Sequence, residues 1–281
     1  AKAGALGRLS AALVGVPIRI HTYHGHLLSG YFRSSLTRLL VLAERSLAKL
    51  TTFSIVVGEQ VRQDLIEHKI CSAEKSISIS PGIKPIIRLE KSSSRSQLGL
   101  PLDRPIIMFV GRLARIKRPD IFVELARRFE NHPLRPIFAF VGDGPLADQL
   151  KQESAHLDNV VFSGWHQDLD VVYSAADIVV LCSDNEGMPL SLIEASSIGV
   201  PIIASNVGSV CEIVTDEENG LLVEAGNIDS FYSNTMRLLE NPSLRQKMSE
   251  SKHKSRTDFT FKQSASNHAA IYQKLFLENC G

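Results

Sequence analysis

Cysteine is scarce in this chain. Four are scattered over 281 residues (Cys71, Cys182, Cys211 and Cys280), and none forms a Cys-x-x-Cys pair. That excludes a disulfide scaffold and a cysteine zinc site, and it points to reduced thiols in a cytoplasmic setting. No apolar run approaches the ~18 residues that span a bilayer. The opening Ala-Lys-Ala-Gly is not followed by the apolar stretch of a signal peptide. Neither sign of charge predominates, with 31 Lys and Arg against 30 Asp and Glu. An initiating Met is also lacking, and the pattern begins in mid-fold, so the N-terminal domain is expected to be incomplete.

What is present is ordinary globular composition, 44% hydrophobic and 22% charged. The length suits two domains at about 100–200 residues each. The charge is unevenly spread: residues 1–91 hold 13 Lys and Arg against 6 Asp and Glu, and residues 92–281 hold 18 against 24. A basic N-terminal third suits either an anionic acceptor or membrane surface, or simply a solvated face. No cluster is dense enough for a nucleic-acid stripe, so no nucleic-acid partner is expected.

From Pro105 onward, short apolar runs alternate with helical stretches. The runs are Ile106–Val110, Ile137–Val141, Val160–Ser163, Ile178–Leu181, Ile202–Ala204 and Leu221–Val223. Each is bounded by Gly, Pro, Asp or Ser, as expected of strands buried on both faces. Six alternations predict an α/β fold with a doubly wound parallel sheet. Residues 1–84 read as a partial copy, with strands at Val16–Ile20 and Ser54–Val57 and helices at Leu36–Leu50 and Gln60–His68. The first of these helices could touch a membrane, but its Leu36, Leu39, Leu40, Ala43, Leu47 and Leu50 are read as facing a core. Ser80-Pro81-Gly82 through Pro85 suggests a hinge, and Glu90–Gln97 a polar surface loop. A last helix is expected over Lys262–Leu277.

In such sheets ligands sit beyond the carboxyl ends of the strands. After the strand ending at Val110 come Gly111-Arg112 and then Lys117, two cations able to converge on a diphosphate. After Leu181 comes Ser183-Asp184-Asn185-Glu186-Gly187-Met188-Pro189-Leu190, with Glu194 four residues on. Pro189 is expected to open a helix, leaving the N–H groups of Gly187, Met188 and Leu190 aimed at an anion. Glu194, among Leu192, Ile193 and Ala195, needs hydrogen-bond donors to offset burial, and sugar hydroxyls would supply them. The alternatives are a solvated Glu186 and a salt-bridged Glu194.

Other signals compete. Gly142-Asp143-Gly144-Pro145-Leu146-Ala147 matches a dinucleotide fingerprint, but the acidic residue that should end the next strand is replaced by Ser163-Gly164-Trp165. Asp168-Leu169-Asp170 could bind a metal, although it reads better as an acidic helix start. His21, His24 and His26 have no zinc-spaced partners, so a single cleft-facing histidine is the more economical reading.

Together these stretches resemble the retaining GT-B glycosyltransferases called group 1, or family 4. The resemblance rests on Val110-Gly111-Arg112-Leu113 with Lys117, Val141-Gly142-Asp143-Gly144-Pro145 and Ala176-Asp177. It continues through Ser183, Glu186-Gly187-Met188-Pro189, Glu194-Ala195, Gly199-Val200-Pro201 and Gly220-Leu221-Leu222-Val223. The segment His21-Thr22-Tyr23-His24-Gly25 is similar to the family's cleft histidine.

The resemblance implies two Rossmann-like domains, at 1–84 and 85–260, with a final helix, 261–281, returning to the first. It also implies sugar transfer from a nucleotide sugar, with UDP-hexose favoured, to an envelope polysaccharide or lipid-linked acceptor. Transfer would be retaining and metal-independent, with no cofactor, on a cytoplasmic protein able to sit peripherally on the inner membrane face. Arg112 and Lys117 would hold the diphosphate and Glu194 the ribose. Glu186, with the N–H groups of Gly187, Met188 and Leu190, would grip the sugar, and His24 would approach the reacting centre. A non-catalytic nucleotide-sugar-binding chain and an epimerase on the same fold remain as alternatives.

Overall fold

The computed structural model describes residues 2–25, 34–251 and 259–280. His26 of the histidine cluster lies outside them. The chain divides into two compact units. The first comprises Ala1–Ile83, Glu186–Met188 and Phe259–Gly281, and the second Lys84–Asn185 and Pro189–Asp258.

The second unit holds a six-stranded, all-parallel sheet. Its strands are β4 (Ile106–Val110), β5 (Ile137–Val141), β6 (Val160–Gly164), β7 (Ile178–Leu181), β8 (Ile202–Ser205) and β9 (Gly220–Val223). Three match the expected runs residue for residue, and the others are one residue longer. The spatial order is β6-β5-β4-β7-β8-β9. Successive strands therefore step outward from β4 in one direction, then jump back to β7 and proceed in the other. The reversal between β4 and β7 is the switch point at which such sheets leave a crevice.

Around this sheet lie α4 (Lys91–Gln97), α5 (Pro119–Arg128), α6 (Ala147–Glu153), α7 (Leu169–Ala175), α8 (Leu190–Ser197), α9 (Ile228–Glu240) and α10 (Pro242–Glu250). Phe122 of α5 packs edge-on against Phe138 and Phe140 of β5, with ring centroids 5.3 and 4.9 Å apart. These rings are fully buried, and aromatic pairs at such spacing add to the apolar burial that holds helix to sheet.

The stretch read as a surface loop is the helix α4. Glu90 caps it, accepting from the N–H groups of Ser92 and Ser93. Its Arg95 is buried and bonds the Asp177 carboxylate at 2.5 Å and the Ala175 carbonyl at 3.1 Å. Its four serines carry no apolar periodicity, and the largely buried Arg95–Asp177 ion pair, just past the end of α7, replaces it as the anchor. Asp168 caps α7 by accepting from Val171 N–H at 3.3 Å, while Asp170 accepts from Ile87 N–H at 3.0 Å. The Asp-x-Asp is thus a helix start, and among the described residues no cluster of metal-ligating side chains occurs.

The first unit carries a parallel three-stranded sheet, β1 (Ile20–Tyr23), β2 (Phe53–Val56) and β3 (Ser76–Ser78), in the order β1-β2-β3. Its helices are α1 (Lys2–Leu13), α2 (Ser34–Ala48), α3 (Glu59–Glu67) and α11 (Phe261–Cys280). α1 and β3 were not anticipated. β1 begins where the expected strand ends, because Pro17 has no N–H to donate and pairing starts only at Ile20, opposite Phe53. On α2 the expected core face is also displaced. Leu36 and Leu39 are exposed and Val41 is buried, since the helix turns Glu44 inward to meet Arg8 of α1 at 2.9 Å. Ser264 of α11 donates to the Ser80 carbonyl, and Ile83 bridges Thr260.

Candidate functional site

In the second unit the site residues follow the two strands that flank the switch point. β4 and β7 pair directly, Ile107 beside Ile178 and Met108 beside Val179. The loops leaving their carboxyl ends are joined. The Asp184 N–H donates to the Ile116 carbonyl at 2.9 Å, and Arg118 Nη1 donates to Asp184 Oδ1 at 3.1 Å.

Arg118 holds a left-handed backbone (φ 48°, ψ 50°) as the cap of α5, with Pro119 the first helical residue. That conformation costs a non-glycine residue about 1–2 kcal/mol. Ion pairs to Asp120 and Asp184 offset it, and they hold the guanidinium above its ordinary pKa. No sequence pattern marked Arg118 as a link between the two loops, because Asp184, the partner on the second loop, lies 66 positions away.

Arg112 stands at the strand end with an exposed side chain that makes no hydrogen bond or ion pair among the described residues. Lys117 closes the short 3-10 turn Arg115–Lys117, half-buried, just ahead of α5. The β4 loop is shaped by its neighbour. A Cβ on Gly142 would overlap the Gly111 carbonyl oxygen, and one on Gly144 would overlap that of Leu113. Leu113 N–H bonds the Asp143 carbonyl and Leu146 N–H bonds that of Leu113. The glycines of the apparent dinucleotide fingerprint therefore serve loop-on-loop packing beside the phosphate-binding candidates.

α8 begins at Leu190. Pro189 is its cap (ψ 109°) rather than its first helical residue, so Glu186 lies outside the helix. The leading N–H groups of α8 have no intrahelical partner and present the positive end of the helix. One turn in, Glu194 is half-buried and accepts from the Tyr173 hydroxyl at 2.6 Å through Oε2. Its Oε1 takes no hydrogen bond among the described residues. Burial pushes the carboxyl pKa up, and the Tyr173 hydrogen bond opposes this. Glu194 is thus held by a phenol, and it forms no salt bridge among the described residues. Sequence reasoning missed Tyr173, whose position on α7 among apolar residues reads only as core.

In the first unit, Arg8 is buried between Tyr23 and Glu44, bonding the phenol at 3.2 Å and the carboxylate at 2.9 Å. His21 packs edge-on against Tyr23 at 4.4 Å. Burial and the Arg8 charge lower its pKa to about 4, so it is neutral and structural. His24 follows the end of β1 and is exposed. Within this same unit, a Cβ on Gly187 would overlap the His24 carbonyl oxygen, so only glycine fits there. Glu186 is buried (7% exposed), not solvated, and Met188 is buried as well.

Comparison with known proteins gives a consistent result. Residues 90–255 match the family Glycosyl transferases group 1. The chain is 33% identical over 254 residues to an Escherichia coli UDP-Gal:alpha-D-GlcNAc-diphosphoundecaprenol alpha-1,3-galactosyltransferase, covering 86% of this chain and 65% of that one. It is 29% identical to a D-inositol 3-phosphate glycosyltransferase of Corynebacterium aurimucosum, covering 82% and 59%. It therefore spans about two thirds of such relatives.

Among solved structures, sucrose-phosphate synthase from Thermosynechococcus elongatus superposes with a TM-score of 0.81 at 25% identity, over 98% of this chain and 72% of that one. Anabaena Alr3699/HepE, solved with UDP and glucose, superposes at 0.82 with 20% identity, over 97% and 75%. The parallel-sheet α/β architecture is that of the GT-B glycosyltransferases. The matched residues 90–255 make up more than half of the chain and contain the switch-point loops and the Gly-Asp-Gly-Pro packing, so the chain belongs to the glycosyl transferases group 1 family.

Proposed function

We propose that this chain binds a nucleoside-diphosphate sugar, specifically a UDP-hexose. It transfers the sugar with retention and without metal to an envelope polysaccharide or lipid-linked acceptor. The observation that carries this reading is that two groups on the loops and helix following the switch-point strands β4 and β7 are uncommitted among the described residues: the Arg112 guanidinium and Oε1 of Glu194. A fixed cation suits a diphosphate, and a raised carboxylate with one open oxygen suits vicinal ribose hydroxyls.

In this assignment Arg112 and Lys117 hold the diphosphate and Glu194 the ribose. Glu186 and the N–H groups of Gly187, Met188 and Leu190 hold the sugar, and His24 acts at the reacting centre. As the diphosphate leaves, negative charge builds on its oxygens. Positioned cations and helix N–H groups stabilise that charge without reorganising. The E. coli relative is named for UDP-galactose and a diphosphoundecaprenol acceptor, which supports the donor class and a lipid-linked acceptor. A cytoplasmic protein peripheral to the inner membrane face follows from such an acceptor. Retention and assignment to family 4 rest on the resemblance of the motifs.

Calorimetric titration of UDP, GDP, ADP and NAD without added metal tests the site, with Arg112→Ala and Glu194→Ala alongside. One nucleoside diphosphate should bind and be weakened in both variants. No binding by the folded chain, or unchanged affinity in both variants, overturns the assignment. Incubation with UDP-sugars and lipid-linked acceptors then separates transfer from isomerisation of the donor alone, and NMR of the product reads its anomeric configuration.

A further inference from the structure

Among the described residues Tyr173 is the largest fully buried side chain, and its hydroxyl donates to Glu194 Oε2 at 2.6 Å. Its neighbours on α7, Val171, Val172 and Ala175, are apolar and buried as well. Packing alone at such a position is met by phenylalanine, and a buried phenol needs a partner for its hydroxyl. That partner is a carboxylate on a different helix, 21 positions away. Burial and the neighbouring Glu194 charge hold the phenol well above its ordinary pKa, so it remains a donor at every working pH.

The helix that carries the phenol is tied down along its length. Asp168 caps its start, and Asp170 accepts from the Ile87 N–H at 3.0 Å. The Ser174 hydroxyl oxygen accepts from the Leu89 N–H at 2.8 Å, and the Ala175 carbonyl accepts from Arg95 Nε at 3.1 Å. The Tyr173 hydroxyl therefore projects from a fixed platform. Glu194 is a half-buried, flexible side chain on α8, of a type that loses much rotamer freedom when it is ordered. The phenol orders it in advance, taking Oε2 and leaving Oε1 open, and no ion pair among the described residues draws the carboxylate elsewhere.

We propose that Tyr173 is a positioning residue of the donor site: by holding Oε2 it presents Oε1 of Glu194 to the vicinal hydroxyls of the nucleotide ribose, and so sets a preference for ribonucleotides over 2′-deoxyribonucleotides. One carboxylate oxygen offers two acceptor directions, which suits hydroxyls on adjacent carbons. Because the carboxylate is ordered in the ligand-free protein, less freedom is lost when the nucleotide arrives. A carboxylate free to rotate would discriminate less between the two sugars. The proposal rests on the assignment of Glu194 to the ribose made above, and it adds the residue through which that glutamate acts.

The test is Tyr173→Phe, which removes the hydroxyl and keeps the ring, with circular dichroism as the check of folding. If it does not fold, Tyr173→Met replaces it, an unbranched side chain that fills the space without a hydroxyl. The first arm needs no ligand. NMR titration of isotope-labelled glutamate should show the Glu194 carboxyl titrating at higher pH in the variant, since the phenol favours its ionised form. The second arm is calorimetry with UDP and 2′-deoxy-UDP across pH. The variant should lose on the order of tenfold in UDP affinity and less for 2′-deoxy-UDP. The acid limb of UDP binding should move to higher pH, the titration of the phosphate being common to both proteins. In a Glu194→Ala background, where no carboxylate is left to position, Tyr173→Phe should change UDP affinity little. An unmoved carboxyl titration, equal losses for both nucleotides or an undiminished effect in that background makes Tyr173 purely structural. Any of these overturns the proposal while the nucleotide assignment stands. If the parent binds neither nucleotide, the donor-site assignment fails and takes the proposal with it, whatever the carboxyl titration shows.

Discussion

The Tyr173 hydroxyl lies 2.6 Å from Glu194 Oε2, joining the buried phenol of α7 to the half-buried carboxylate of α8. A single donor does not offset the desolvation of a carboxylate this enclosed, and its pKa remains raised. The ligand-free protein holds a charge at a cost that a ligand's hydroxyls would relieve.

Glu194→Gln should therefore stabilise the ligand-free protein while weakening nucleotide binding. A carboxyl whose folded pKa exceeds its unfolded pKa stabilises fully below the unfolded value, and that contribution is lost as pH rises through the folded one. The gain in Tm should appear at neutral pH and vanish below the ordinary carboxylate range. Thermal melts from acid to neutral pH check it, and an equal change at every pH contradicts it.

Arg112→Ala should leave Tm unchanged, since the side chain has no partner among the described residues. It should cost about 1–3 kcal/mol in UDP affinity, the worth of a hydrogen bond to a charged group. Calorimetry and melting on one preparation separate the two effects.

Arg118→Ala keeps the left-handed backbone and removes both ion pairs, whereas Arg118→Gly removes the pairs and the strain together. The glycine variant should be the more stable of the two by about 1 kcal/mol. Urea midpoints resolve this, and equal midpoints would mean the backbone there is unstrained.

Gly142→Ala sets a methyl against the Gly111 carbonyl at a φ of 136°. It should destabilise by more than about 1 kcal/mol and weaken nucleotide binding through the displaced β4 loop. A dinucleotide role for this glycine would instead predict altered binding of NAD with stability intact.

His21 gives the opposite pH dependence to Glu194. Its pKa is lowered from 6.5 to about 4 by burial and by Arg8. A depressed folded pKa confers stability above the unfolded value that is lost as pH falls through the folded one. Stability should therefore decline between about pH 6.5 and 4, and His21→Gln should flatten that decline in urea titrations.

The second unit was largely legible because its strands are buried on both faces. Ile106–Val110 and Ile137–Val141 are continuous apolar runs bounded by turn residues, so neighbouring chain alone marks them. The first unit was less so. The Pro17 segment, β3 and α1 carry weak local signals, and α4 reads as a serine-rich linker although Arg95 fastens it to Asp177. The α2 face was misjudged for a related reason. Six apolar residues suggested a core side, but the Arg8–Glu44 pair turned the helix another way.

By itself, the sequence determined the class of fold, the strands of the larger sheet and the loops that bear Arg112, Lys117 and Glu194. These follow from local apolar runs, glycines and strand ends, which neighbouring residues suffice to specify. Only the tertiary structure decided that Tyr173 holds Glu194, that Arg118 clasps Asp184 and that Gly142 and Gly144 serve packing. It also decided which side of α2 faces outward. Each of these depends on groups 21 to 66 positions apart, or on a helix rotation set by one ion pair. Hydrogen bonds and ion pairs of that reach leave no periodic trace along the chain.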